Sequence, residues 1–80
     1  MEIKVLGAGC ASCKNMLSDV KRLIAQLNLD ARVDYVTDVE KIMSYGVMST
    51  PVLVINEQVV IVGHRGAKKI EQALLKGNAA

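Results

Sequence analysis

The run Val52-Leu53-Val54-Ile55 is apolar at all four positions. A strand with one wet face alternates apolar and polar residues, whereas a strand covered on both faces does not. A chain holding such a strand needs structure on each side of a sheet, and 80 residues leave room for one small domain around it. A domain of this size buries only about 60 % of the surface its unfolded chain exposes, so apolar residues must be used economically. They make up 51 % of the sequence; Phe and Trp are absent, and Tyr35 and Tyr45 are the only aromatic side chains.

The remaining segments fall into a simple order. Ile3 to Leu6 is a short apolar-rich strand closed by Gly7 and Gly9. Cys13, Met16, Leu17, Val20, Ile24 and Leu27 then recur at the spacing of one helix face, with Asn28 as the stop. Ala31 to Val36 alternates, Ala31, Val33 and Tyr35 on one side and Arg32 and Asp34 on the other, as a half-exposed edge strand does. Thr37-Asp38-Val39-Glu40 fits a capping box with Thr37 as the cap, opening a short helix that packs through Val39, Ile42 and Met43 and stops at Gly46. Asn56-Glu57 turns the buried strand into a second one, Gln58 to Val62. Ala67, Ile70, Ala73 and Leu74 line a last helix ending near Gly77.

The order β-α-β-α-β-β-α implies a right-handed parallel crossover followed by an antiparallel hairpin. The expected architecture is α/β: a four-stranded mixed sheet with helices on both faces, one domain over residues 1–77, and a disordered tail over 78–80. A net charge of +2 without aromatic platforms argues against nucleic acid. No signal peptide or membrane-length apolar run is present, so the expected location is the cytoplasm and no membrane partner is expected.

Chemistry concentrates at Gly9-Cys10-Ala11-Ser12-Cys13, which holds both cysteines of the chain. In a reducing compartment such a close pair is more often catalytic or metal-binding than structural. A thiol at the first turn of a helix meets unpaired N–H groups at the positive end of the macrodipole. That setting favours the thiolate, the species that attacks disulfides. Cys10 is the expected nucleophile and Cys13 the resolving thiol one turn on; Ala11 and Ser12 tune the potential through the sulfurs' surroundings. The plainer alternative, two small buried hydrophobes, fits Cys13 on the apolar helix face but not Cys10 beside two glycines.

Three features together resemble the thioredoxin superfamily: Cys10-Ala11-Ser12-Cys13 between strand and helix, Thr50-Pro51 before the buried strand, and Gly63 before the last helix. Element order matches from about residue 2 to 77, closest to the very small thioredoxin/glutaredoxin-like proteins of archaea and bacteria. The resemblance implies a minimal thioredoxin fold with a cis bond before Pro51 facing the cysteine pair. It implies substrate contacts at Thr50, Pro51 and Gly63, with an extended segment of the target added beside Thr50 as a strand. It also implies disulfide-bearing target proteins, a redox-active disulfide Cys10–Cys13 with no bound cofactor, and a thioredoxin reductase-like electron donor in preference to glutathione. A monomer is expected.

Lys4 departs from that pattern. It stands six residues before Cys10, where thioredoxins usually carry a buried Asp that accepts the resolving thiol's proton. Either its ammonium lies under the site and stabilises a Cys13 thiolate, or its stem follows the sheet and its charge reaches water. His64 and Arg65 fall near the rim, where a solvated surface role outweighs carboxylate binding, and Gly63-His64-Arg65-Gly66 lacks the acidic residue of the glutaredoxin pattern. Met43, Met48 and Tyr45 are candidates for an apolar docking edge, with core packing favoured for Met43.

The rival function is a Cu(I) carrier, because Gly7-Ala8-Gly9-Cys10-Ala11-Ser12-Cys13 also resembles the metal loop of heavy-metal-associated domains and soft thiolates suit Cu(I). Those domains run β-α-β-β-α-β and end on a strand. Two Cys and one His fall short of a four-ligand zinc site.

Overall fold

The computed structural model describes the chain except Ala8, Cys10, Met48, His64, Arg65 and Ala80, together with the side chains of Asn78 and Ala79. Seven elements follow in the expected order: β1 (Glu2–Leu6), α1 (Ala11–Gln26), β2 (Arg32–Val36), α2 (Val39–Ser44), β3 (Val52–Ile55), β4 (Gln58–Val62) and α3 (Ala67–Ala79). The strands line up as β2-β1-β3-β4. β1 pairs parallel with β2 and antiparallel with β3, and β3 pairs antiparallel with β4. This is the four-stranded mixed α/β sheet that the sequence implies, with β2 as one edge.

Strand alternation divides the core in two. Ile3, Val5, Leu53 and Ile55 face α1 and α3, where they meet Met16, Val20, Leu23, Ile70 and Leu74. Leu6, Val52 and Val54 face the other way, onto Ile42 of α2. All four residues of β3 are buried, because it is the strand that both layers share. Leu23, which the spacing argument omitted, is 5 % exposed. It lies three residues beyond Val20 on the buried face of α1.

Three local expectations change. The cap of α2 is Asp38 rather than Thr37: Asp38 is extended, and its carboxylate accepts from the Glu40 N–H at 3.0 Å. A charged acceptor at the positive helix end outcompetes the neighbouring hydroxyl. Val39 and Met43 do not pack inward; they are 60 % and 66 % exposed, leaving Ile42 as the buried residue of α2. A helix of six residues makes fewer than two turns, so it sets only one row of side chains on the sheet. α1 does stop as expected, with Asn28 left-handed and Leu29 N–H donating back to the Ile24 carbonyl at 3.0 Å.

The last change concerns Gly77, which does not end α3. The helix backbone continues to Ala79, through most of the segment expected as a disordered tail. A Cβ on Gly77 would stand 2.9 Å from Cγ2 of Ile55. The glycine is there for close approach of α3 to β3, not for termination.

The hairpin turn has positive φ at both Asn56 (49°) and Glu57 (68°), the type that matches strand twist. Asn56 also ties the turn to β1: its N–H donates to the Glu2 carbonyl at 2.8 Å, and its Oδ1 accepts from the Glu2 N–H at 2.9 Å.

Candidate active site

The register gathers one end of the sheet. Leu6 sits beside Val52, and Val52 beside Val62, so the residues just beyond them, Gly7, Pro51 and Gly63, share that end. The Thr50–Pro51 bond is cis. Pro51 is buried and Thr50 half-buried. The Gly63 N–H donates to the Pro51 carbonyl at 2.7 Å, and Gly63 has φ +82°, a conformation that glycine adopts without strain. Pro51 and Gly63, two of the three residues expected to contact substrate, are therefore hydrogen-bonded to each other.

Helix α1 starts at Ala11, so Cys13 is its third residue; Ala11 and Ser12 are exposed. Cys13 is wholly buried and its sulfur is in a disulfide. Cys10, the expected nucleophile, lies outside the described residues, as do His64, Arg65 and Met48. What closes over Cys13 is Gly7. The Gly7 N–H donates to the Val36 carbonyl at 2.9 Å, continuing the β1–β2 ladder one residue past β1. A Cβ on Gly7 would lie 2.6 Å from Cβ and 2.7 Å from Sγ of Cys13, and 3.4 Å from Cε1 of Tyr35. The exit of β1, the first turn of α1 and the Tyr35 ring thus border the one methyl-sized space over Gly7.

Lys4 is not part of that group. Its neighbours Ile3 and Val5 face α1, and alternation sends Lys4 to the α2 face with Leu6. There Nζ donates to Oε1 of Glu57 at 2.6 Å and to the Tyr45 hydroxyl at 3.1 Å, while that hydroxyl donates to Oε2 of Glu57 at 3.2 Å. Tyr45 is half-buried against the α2-side core, serving this cluster. Of the two readings of Lys4, the stem along the sheet describes its placement: its side chain is 25 % exposed.

The Glu57 carboxylate, with Tyr45 second, holds the Lys4 ammonium well above the ordinary lysine range; Lys4, then Tyr45, holds Glu57 below the usual carboxylate range. Glu57 is depressed, so its contribution is complete above its unfolded value of about 4.3 and fades as pH falls through the lower folded value. Lys4 is raised, so its share is complete below about 10.4 and fades only as pH climbs through the higher folded value. The melting temperature of wild type is expected to exceed that of Glu57→Gln by a small, constant margin between those limits. Thermal melts at stepped pH should show that margin closing in acid below about pH 4. Glu57 is 60 % exposed and the pair is open to salt, which keeps the margin small.

Sequence reasoning passed over Tyr35 and Glu57 as parts of any site, and met Gly7 only in the resemblance to a metal loop. The alternation of Ala31, Val33 and Tyr35 already turned Tyr35 inward, and a polar-tipped side chain on a core face near a strand exit was the available signal. Nothing in the sequence tied Glu57 to Lys4 before the hairpin brought them together.

These features, a parallel β1–β2 crossover, a cysteine in the first turn of the helix after β1 and a cis proline opening the central strand, define a thioredoxin-like redox fold. A thioredoxin-domain family model matches residues 1–76, and the chain belongs to that family. It is 25 % identical over 69 residues to a thioredoxin of Methanothermobacter thermautotrophicus, covering 86 % of this chain and 90 % of that protein. It is 33 % identical over 61 residues to a thioredoxin of Methanocaldococcus jannaschii, covering 76 % and 70 % respectively. It superposes on thioredoxin 1 of Thermosipho africanus with a TM-score of 0.56, covering 98 % of this chain and 99 % of that one at 22 % identity, a likeness of fold. The kinship supports a thioredoxin-like redox function. The chain's last element is a helix, not the strand that closes a heavy-metal-associated domain. No helix among the described residues is long and apolar enough to cross a membrane.

Proposed function

We propose that the protein is a thiol–disulfide oxidoreductase that reduces disulfides in target proteins through Cys10 and Cys13. The observation that carries this reading is Cys13 itself: a disulfide-bonded sulfur, fully buried in the first turn of the helix that follows β1. Its proposed partner is Cys10, the other cysteine of the chain.

In the reduced protein, the Cys10 thiolate attacks one sulfur of the target disulfide. A Cys10–target S–S bond forms, and the other target sulfur leaves as a thiolate that takes a proton from solvent. Cys13, losing its proton, attacks Cys10; the second target sulfur leaves as the other thiol. Two electrons pass to the target, and the S–S bond now joins Cys10 and Cys13. The family supports a redox partner that returns the two electrons; a flavoprotein of the thioredoxin reductase class is the proposed donor. Thr50, Pro51 and Gly63 form the surface where the target's chain lies, with Ala11 and Ser12 as exposed neighbours of the sulfurs. A monomer in the cytoplasm completes the proposal.

Insulin reduction with dithiothreitol as donor tests it. The protein at catalytic amounts is expected to raise the rate well above that of dithiothreitol alone, in many turnovers per molecule. A rate that does not respond to added protein overturns the reading. Stoichiometric Cu(I) uptake in the absence of turnover would instead favour the carrier.

A further inference from the structure

The Tyr35 hydroxyl is buried and has no hydrogen-bond partner among the described residues. Native interiors hold few such groups, because a buried donor without an acceptor has lost water and gained nothing. Its ring edge and the Cys13 sulfur border the same methyl-sized space above Gly7. Both belong to the α1 side of the sheet, where Tyr35 packs against the core cluster. Of the nearby described side chains, Gly7 has none to offer, Met16 one turn on is apolar, and Lys4 is held by Glu57 on the opposite face.

A sulfur in a disulfide is a weak acceptor, whereas a thiolate accepts a charge-assisted hydrogen bond. We propose that the Tyr35 hydroxyl donates a hydrogen bond to the Cys13 sulfur once the disulfide opens, and so favours the reduced protein. The inference rests on the redox reading above. With dithiothreitol as reductant, its two thiols give up two electrons and two protons and close into its own disulfide. The S–S bond at Cys13 breaks and both protein sulfurs are reduced; each takes up a proton or, where it stays a thiolate, leaves that proton to solvent. The new hydrogen bond exists only on the product side, so its whole effect falls on the equilibrium.

Tyr35→Phe keeps the ring and removes only the oxygen. Oxidised wild type and variant are equilibrated with graded ratios of reduced to oxidised dithiothreitol, and protein thiols are counted by mass after alkylation. The variant's reduction constant is expected to fall about tenfold, equivalent to a midpoint about 30 mV more negative. Its oxidised form should melt no lower than wild type, since the missing oxygen had no partner there. Tyr45→Phe removes a hydroxyl on the other face and should leave the constant unchanged. A Tyr35→Phe constant equal to that of wild type overturns the inference alone. A wild-type protein with no reversible two-electron couple overturns the redox reading and this inference with it.

Discussion

Cys10→Ser is expected to bring insulin reduction down to the rate of dithiothreitol alone, while Cys13→Ala is expected to stop turnover and leave the target attached. The two losses look alike in a rate assay and differ in what accumulates. A hydroxyl at position 10 is not ionised near neutral pH, so without the nucleophile no covalent intermediate forms and the loss should be at least about a thousandfold. Removing Cys13 leaves attack intact but deletes the group that releases the target, so the mixed disulfide persists until external thiol cleaves it. Alanine is preferred to serine at position 13 because the site is fully buried. A serine hydroxyl there would be desolvated, at a cost of about 1–3 kcal/mol that could unfold a small domain and mimic the catalytic loss. Non-reducing mass analysis reads the outcome. An adduct on Cys13→Ala and none on Cys10→Ser is expected; adducts on Cys10→Ser would reverse the roles of the two sulfurs.

The fold was legible because its strongest signals are local and periodic. Val52 to Ile55 declared a strand with two covered faces, and the apolar rows of α1 and α3 are long enough to fix their inward sides. The short helix α2 was read less well, since six residues give too little periodicity to tell Ile42, which is buried, from Val39 and Met43, which are not. Gly77 misled for a different reason. A glycine near the end of an apolar row suits both a helix stop and a close contact, and only the position of Ile55 decides between them.

The candidate site divides along the same line. The cysteine spacing and Thr50-Pro51 stand plainly in the sequence. The contacts around Cys13 do not, because Gly7 and Tyr35 come from the ends of two strands paired thirty positions apart in the chain, and pairing register is a tertiary property. Lys4 shows the converse error. Its distance along the chain from Cys10 invited a role under the sulfurs, but strand alternation had already assigned it to the other face.

Gly7→Ala should give the largest stability loss of any single methyl addition at a described glycine. The new Cβ would enter within 2.6 Å of Cβ and 2.7 Å of Sγ of Cys13, well inside van der Waals contact. Neither neighbour is the free end of a flexible side chain: Cys13 is anchored by helix α1 and by its disulfide. Gly7 is equally fixed, through its hydrogen bond to Val36. The strand exit and the helix start must therefore separate, an overpacking cost of about 1–3 kcal/mol or more. For a domain of this size each kcal/mol lowers the melting temperature by roughly 4–8 °C, so a drop on the order of 5–20 °C is expected. Gly9→Ala is the internal control. Gly9 has φ +89° with open space where a Cβ would go, so alanine meets backbone strain there but no clash. Its loss should be about 1–2 kcal/mol and should not depend on Cys13. A double-mutant cycle separates the two mechanisms. Combining Gly7→Ala with Cys13→Ala removes the 2.7 Å contact with Sγ but keeps the 2.6 Å contact with Cβ, so part of the loss should be recovered as a coupling of about 0.5–3 kcal/mol. If Gly7→Ala melts within a degree or so of wild type, or shows no coupling to Cys13, the strand exit and the helix are not packed as tightly as these distances require, and the buried setting of the sulfur goes with them.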